Sequence, residues 1–326
     1  MKNPVKLSVL DQSPVKSGLD AYSAIHETLE LATLCDNLGY HRYWVAEHHA
    51  SDALAGCSPK VLLGRLGAET KGIRLGSGDI ILPHYSPYKV AENFRILETM
   101  YASRIDLGIG RALGTDPFTA AAIRYGSTVG PEQFPNMVLD LLALLNDTEP
   151  VTLGLENAQA YPKVEAPPEL WILGSSSDSS SLAALAGLPY NFAHLINPLI
   201  GPQIFENYRE NFQAGPNCDS PQSVLTVFTI CAETEKKALE LSKSRDLWFI
   251  RLLRGNPGSF PSVQEAADYS YSAQELEVIE ENRKKRAIGT PEQVCEKLES
   301  YVNDFELDEL MILTITHNPT TRRKSY

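Results

Sequence analysis

Trp44-Val45-Ala46-Glu47-His48-His49, followed by Gly76-Ser77-Gly78-Asp79-Ile80-Ile81-Leu82-Pro83 and then Gly108-Ile109-Gly110-Arg111-Ala112-Leu113-Gly114, decides the fold. Each stretch is a short apolar strand that runs into a polar or glycine-rich cluster, and an amphipathic helical pattern follows each. Repeated units of this kind, with their chemistry gathered at the carboxyl ends of strands, describe a parallel βα barrel with its site on one face.

The same alternation fills the chain outward from that core. Strands are expected at 6–10, 43–46, 73–82, 105–109, 170–173, 190–193, 224–230 and 310–313. Helices are expected at 22–38, 60–69, 89–101, 134–145, 182–186 and 203–212. In the first, Ile25, Leu29, Ala32, Cys35 and Leu38 share one face and Gly39 stops the run. Another helix opens at Thr290-Pro291-Glu292-Gln293, with a capping threonine, a first-turn proline and a glutamine three residues after the cap. Eight strands alternating with helices give a (β/α)8 TIM barrel, one domain across 1–326, with insertions after strands 4 and 7. A doubly wound open sheet would need a glycine-rich turn after strand one, and Asp11-Gln12-Ser13-Pro14 holds none. The proline-rich stretch 149–168 and the segment 246–286 interrupt the rhythm. Long barrel connections act as lids or specificity loops, so a lid is expected within 246–286. The last helix is expected to be short, because Tyr326 comes soon after the eighth strand.

The chain has 326 residues and a formal charge of −12. That balance speaks against nucleic acid or an anionic membrane as partner. Two basic runs stand out, Arg283-Lys284-Lys285-Arg286, expected on a solvated helix end, and Arg322-Arg323-Lys324, expected in a tail. The five cysteines are far apart, without metal-ligand spacing, which fits a reducing cytoplasm. No signal-peptide core precedes the first strand, and no apolar run is long enough to span a bilayer.

Four clusters carry chemistry. Glu47-His48-His49 leaves strand two. Adjacent histidines in extended chain point to opposite sides, so one metal would reach only one of them. The remaining readings are polar caps at the barrel mouth or a histidine that moves a proton. Ser175-Ser176-Ser177-Asp178-Ser179-Ser180-Ser181 follows strand five at a helix start. It reads either as an ordinary N-cap or as a phosphate site built from backbone N–H groups and hydroxyls. In the third cluster, Gly108 and Gly110 permit close approach of a flat ligand, and Arg111 supplies a fork for an oxyanion. In the fourth, Gly76 and Gly78 mark either barrel curvature or a bulge on which a planar ring is pressed.

Taken in this order, the clusters resemble the bacterial luciferase-like family of flavin-dependent monooxygenases. The likeness runs from Lys6 to about His317. Its most specific pieces are residues 44–49, Ile81-Leu82-Pro83, the run from Ala91-Glu92 to Arg104 leading into Gly110-Arg111-Ala112-Leu113, and Ile288-Gly289-Thr290-Pro291-Glu292. The resemblance implies an enzyme that uses reduced FMN, supplied by a separate flavin reductase, and O2. A flavin hydroperoxide would then oxidise a small-molecule substrate. It implies a flavin-site role for His48, a phosphate site from Arg111, Ser175, Ser176 and Ser179, a non-proline cis peptide at Gly78-Asp79 beneath the ring, and Leu113 and Leu173 along the ring. It also implies a homodimer formed through helices near the start of the barrel. Three positions depart from the pattern. Ser175 replaces an acidic residue at the phosphate turn, which should ease phosphate binding. Gly110 stands where the luciferase catalytic chain has a reactive cysteine, and Asp79 places a carboxylate at the pocket floor, where it would disfavour an anionic reduced flavin. Alternatives on the same barrel are a deazaflavin-dependent enzyme or reductase, a non-catalytic flavin-binding protein, and a metal hydrolase.

Overall fold

The computed structural model describes residues 4–326. Eight parallel strands close into a barrel: β1 (Lys6–Asp11), β2 (Arg42–Val45), β3 (Arg74–Ile81), β4 (Ile105–Gly110), β5 (Glu169–Gly174), β6 (Tyr190–Phe192), β7 (Ser223–Cys231) and β9 (Glu309–Leu313). Closure runs through the β1–β9, β9–β7 and β7–β6 pairings. A short extra strand, β8 (Ala287–Gly289), pairs only with the far end of β7, outside the ring. The TIM barrel expected from the sequence is therefore present, with the eighth barrel strand at 309–313.

These strands read as near-continuous apolar runs because both faces are buried. One set of side chains fills the barrel interior, with Leu10, Trp44, Trp171, Phe228, Met311 and Leu313 in contact. The alternate set, including Val9, Tyr43, Val45, Leu75, Leu107 and Ile109, packs under the helices. Gly76 belongs to the interior set, since a Cβ there would collide with the Trp44 indole. The amino ends of the strands are tied by ions. Arg42 bonds Asp106 at 2.9 Å, Glu169 at 3.0 Å and Glu309 at 3.0 Å. Charges at that face serve stability rather than catalysis.

The helices depart from the sequence pattern in instructive ways. The helix expected at 182–186 is α6 (Ser177–Leu185), so it begins inside the serine run, with Ser176 at the N-cap. The insertion after β4 holds α4 (Pro117–Arg124) as well as α5 (Phe134–Leu145). Arg95, on α3 (Pro87–Met100), is buried and pins the start of the proline-rich connection. It donates to Leu144 O at 2.7 Å and Ala160 O at 2.8 Å, and it pairs with Asp147 at 2.7 Å. The segment 246–286 is no loose loop. It begins inside α8 (Glu235–Leu253) and continues through α9 (Val263–Asp268) and α10 (Ala273–Lys284). Its Phe260 is docked by backbone hydrogen bonds to Val15 and Ser17 and stacks on Trp248.

Both basic runs are less solvated than expected. Arg283 pairs with the buried Asp246, and Arg286 is itself buried. The supposed tail is α12 (Pro319–Ser325), whose Arg322 is fully buried against Asp11 at 2.7 Å and Glu27 at 3.1 Å. The expected Thr290 cap opens α11 (Pro291–Phe305) with a reciprocal Thr290–Gln293 capping box. Among the described residues, no helix is long and apolar enough to cross a membrane.

Candidate active site

A cavity of about 420 Å³ opens at the carboxyl ends of the barrel strands. His48, Gly78, Asp79, Arg111, Leu173, Ser175, Ser176 and Ser179 all line it. Residues singled out on β2, β3, β4 and β5 are thus brought to one place. Leu113 is not among the lining residues; its carbonyl accepts a hydrogen bond from His84 Nε2 at 2.8 Å. None of residues 246–286 lines the cavity.

The two histidines after β2 do point apart. His49 Nε2 lies 2.8 Å from Glu47 Oε1, away from the cavity. His48 faces the cavity, and its Nδ1 has no hydrogen-bond partner among the described residues. Its backbone N–H donates to Gly56 O at 2.9 Å and fixes the turn. Burial, and then the neighbouring His49, push the His48 imidazole down to about 4. It is therefore neutral near pH 7, able to accept a proton or donate one hydrogen bond.

Asp79 forms part of the cavity floor. The Gly78–Asp79 peptide is cis, and the β3–β4 register shifts between Ser77 and Ile80, so the bulge read from Gly76 and Gly78 is real. The Asp79 carboxyl occupies the space that a Cβ on Gly110 would need. Burial raises it to about 7, helped by repulsion from the buried Glu47. Glu47 is held from three sides: the Ile81 N–H at 3.0 Å, His49, and the Tyr85 hydroxyl.

The polar end of the cavity is built by Arg111 at the end of β4 and the first turn of α6. Ser179 Oγ donates to Ser176 O at 2.7 Å and lies 3.0 Å from the Tyr190 hydroxyl. Ser175 O accepts from Asn197 Nδ2 at 3.0 Å. The amino end of a helix, with its free N–H groups and positive dipole end, suits an anion. Arg111 faces Asp178 at 3.5 Å, both well exposed.

Several lining residues were not singled out from the sequence. Gln12 lies directly beyond β1, and the rule that barrel chemistry sits at strand ends would have found it. Asn191 and Thr226 are polar residues inside apolar strands, joined by a Thr226 Oγ1 to Asn191 Oδ1 hydrogen bond of 2.7 Å. Asp178 was hidden among serines. Among the described residues, no group of three or more His, Cys, Asp or Glu side chains is placed to hold a metal ion.

Comparison with known proteins agrees with this architecture. The family model for luciferase-like monooxygenases matches residues 5–305. The uncharacterized protein YwcH of Bacillus subtilis is 42% identical over 323 residues, covering 99% of this chain and 97% of that protein. The N-acetyl-S-alkylcysteine monooxygenase of Bacillus subtilis is 32% identical, covering 99% of this chain and 96% of its own length. The crystal structure of apo-MsnO8 superimposes with a TM-score of 0.87 at 35% identity, covering 100% of this chain and 96% of that one. The chain belongs to the luciferase-like monooxygenase family.

Proposed function

We propose that the protein is an FMN-dependent monooxygenase. It takes reduced FMN from a separate flavin reductase and uses O2 to oxidise a small organic substrate, working as a homodimer in the cytoplasm. One observation carries the reading. Arg111 and the α6 amino end, brought together by the Arg111–Asp178 pair at 3.5 Å, line one end of a cavity that Gly78, Asp79 and His48 also line. A phosphate at the first end and a flat ring along the floor is the ligand shape this lining favours.

When bound, FMN supplies the two electrons that reduce O2, so that one oxygen atom reaches the substrate and the other leaves as water. The chain's own residues do the rest. Arg111, Ser175, Ser176 and Ser179 hold the phosphate through charge-assisted hydrogen bonds. Leu10, Ala46, Phe134, Leu173 and Leu195 give the cavity apolar lining against which a ring and a substrate would pack. His48, neutral and with a free ring nitrogen, accepts or returns the proton that moves at the substrate.

The test is oxygen uptake with enzymatically reduced FMN and a panel of N-acetyl-S-alkylcysteines and aliphatic aldehydes, using isotopically labelled O2. The expected result is one labelled oxygen atom in the product, dependent on protein, FMN and substrate together. Oxygen uptake that is the same with and without protein, for every substrate, would overturn the reading.

A further inference from the structure

The Asp79 carboxyl lines the cavity and has no task in the reaction described above. It stands at the end of β3, directly after Gly78. It fits only because residue 110 is glycine, since any side chain on that neighbouring strand would occupy the same space. Its carboxylate receives support only from the amide of its own residue, while Glu47 behind it is buried and held by three donors. A carboxyl boxed in this way has little to stabilise its charge.

We propose, on the FMN reading, that Asp79 is a proton-holding residue of the cofactor site: neutral, it accommodates the reduced ring, and ionised, it opposes the ring's anionic form. Reduced flavin rings lose a proton near neutrality. Two negative charges would then lie close together beside Glu47, partly withdrawn from bulk water, where repulsion is strong. The raised carboxyl, at about 7, places this switch within the working pH range. The other titratable groups lining the cavity are His48 after β2, Arg111 after β4 and Asp178 on α6. Behind the cavity lies Glu47, bonded to His49 and Tyr85, with Lys60 of α2 (Pro59–Glu69) over the Tyr85 ring and His84 beside His49. Of these, Glu47 is the one whose charge acts on Asp79. His48 stays neutral above pH 6, because burial holds it down at about 4.

The experiment is anaerobic titration of reduced FMN, and of oxidised FMN as control, between pH 6 and pH 8.5 on the wild type, Asp79→Asn and Glu47→Gln. The ratio of the two affinities removes the ionisation of the phosphate, which both forms share. In the wild type, reduced FMN should lose about tenfold in affinity relative to oxidised FMN as pH rises, a usual size for coupled sites. Asp79→Asn keeps the shape and should abolish most of that loss. Glu47→Gln should keep the loss but move its midpoint to lower pH, an effect that a merely structural role for Asp79 would not produce. Identical profiles in wild type and Asp79→Asn would overturn this inference and leave the FMN reading standing. Absence of FMN binding by all three proteins would remove both.

Discussion

Arg111 has two anions to choose between. Asp178 lies 3.5 Å away, but the two side chains are 51% and 73% exposed, and such surface pairs contribute only about 0–1 kcal/mol. A phosphate at the α6 amino end offers more, because it engages the guanidinium fork and the serine donors together. Arg111→Ala should therefore weaken FMN binding by about ten- to hundredfold. Asp178→Asn, which removes the competitor, should tighten it by about two- to threefold, as a surface pair allows. Quenching of FMN fluorescence measures both, and unchanged affinity in Arg111→Ala would contradict the placement of the phosphate. His48 makes a different kind of contribution. His48→Ala should lower turnover by about a hundredfold, with FMN affinity changed by less than about threefold, because general acid–base help acts on the reaction rather than on binding. Equal losses in both would reassign His48 to binding.

At the scale of elements, the short α12 does more than end the chain. Arg322 donates to Thr314 O at 2.8 Å and pairs with Asp11 and Glu27, while Lys16 closes the cluster on Glu27. Asp11 ends β1, one residue before Gln12 at the cavity, so α12 braces the exit of the first strand. Burial alone would raise the Asp11 carboxyl. The Arg322 charge and hydrogen bonds from Tyr43, Arg322 and the Ser13 amide outweigh it and hold the group below its usual value. A carboxyl depressed by folding stabilises above its unfolded pKa of about 3.9, and this contribution is lost as pH falls through the folded value. Arg322→Met leaves Asp11 buried and unpaired, and should cost about 3–5 kcal/mol in urea unfolding at pH 7. The gap to wild type should narrow already as pH falls towards about 4, because without Arg322 burial raises the Asp11 carboxyl of the variant above its unfolded value, and the protonated group no longer needs a partner. A constant gap at every pH would mean that packing, not charge, holds α12.

For the whole molecule, exposed apolar side chains on three neighbouring helices bear on the proposed homodimer. Tyr22 on α1 (Ala21–Leu38), Val61 on α2, and Ile96 and Met100 on α3 are exposed apolar side chains on helices that pack side by side. Apolar groups gathered on neighbouring helices mark an interaction face. The proposed homodimer should use this face. Sedimentation velocity should then give a dimer for wild type and a monomer for the double variant Val61→Glu, Ile96→Glu, with FMN binding retained. A monomeric wild type would remove the dimer from the proposal.

The sequence by itself determined the barrel, and pointed to candidate residues that come together at one rim. Both follow from local pattern: apolar runs of strand length, helical periodicity between them, and polar clusters where each strand ends. Gly78, Arg111, His48 and the serine turn were legible because each signals within a few residues of chain. What only the tertiary structure decided depends on partners far apart in sequence. Arg322 reads as a tail residue until closure of the barrel sets it against Asp11, 311 positions earlier. The carboxyl of Asp79 acquires its character from Glu47, just beyond β2, and from the empty side of Gly110 on β4. Leu113 follows Arg111 and Ala112, which reach the cavity, yet its own backbone turns to His84. Periodicity reports which face of an element is buried. The charge that a buried group keeps depends on what the remaining strands bring beside it.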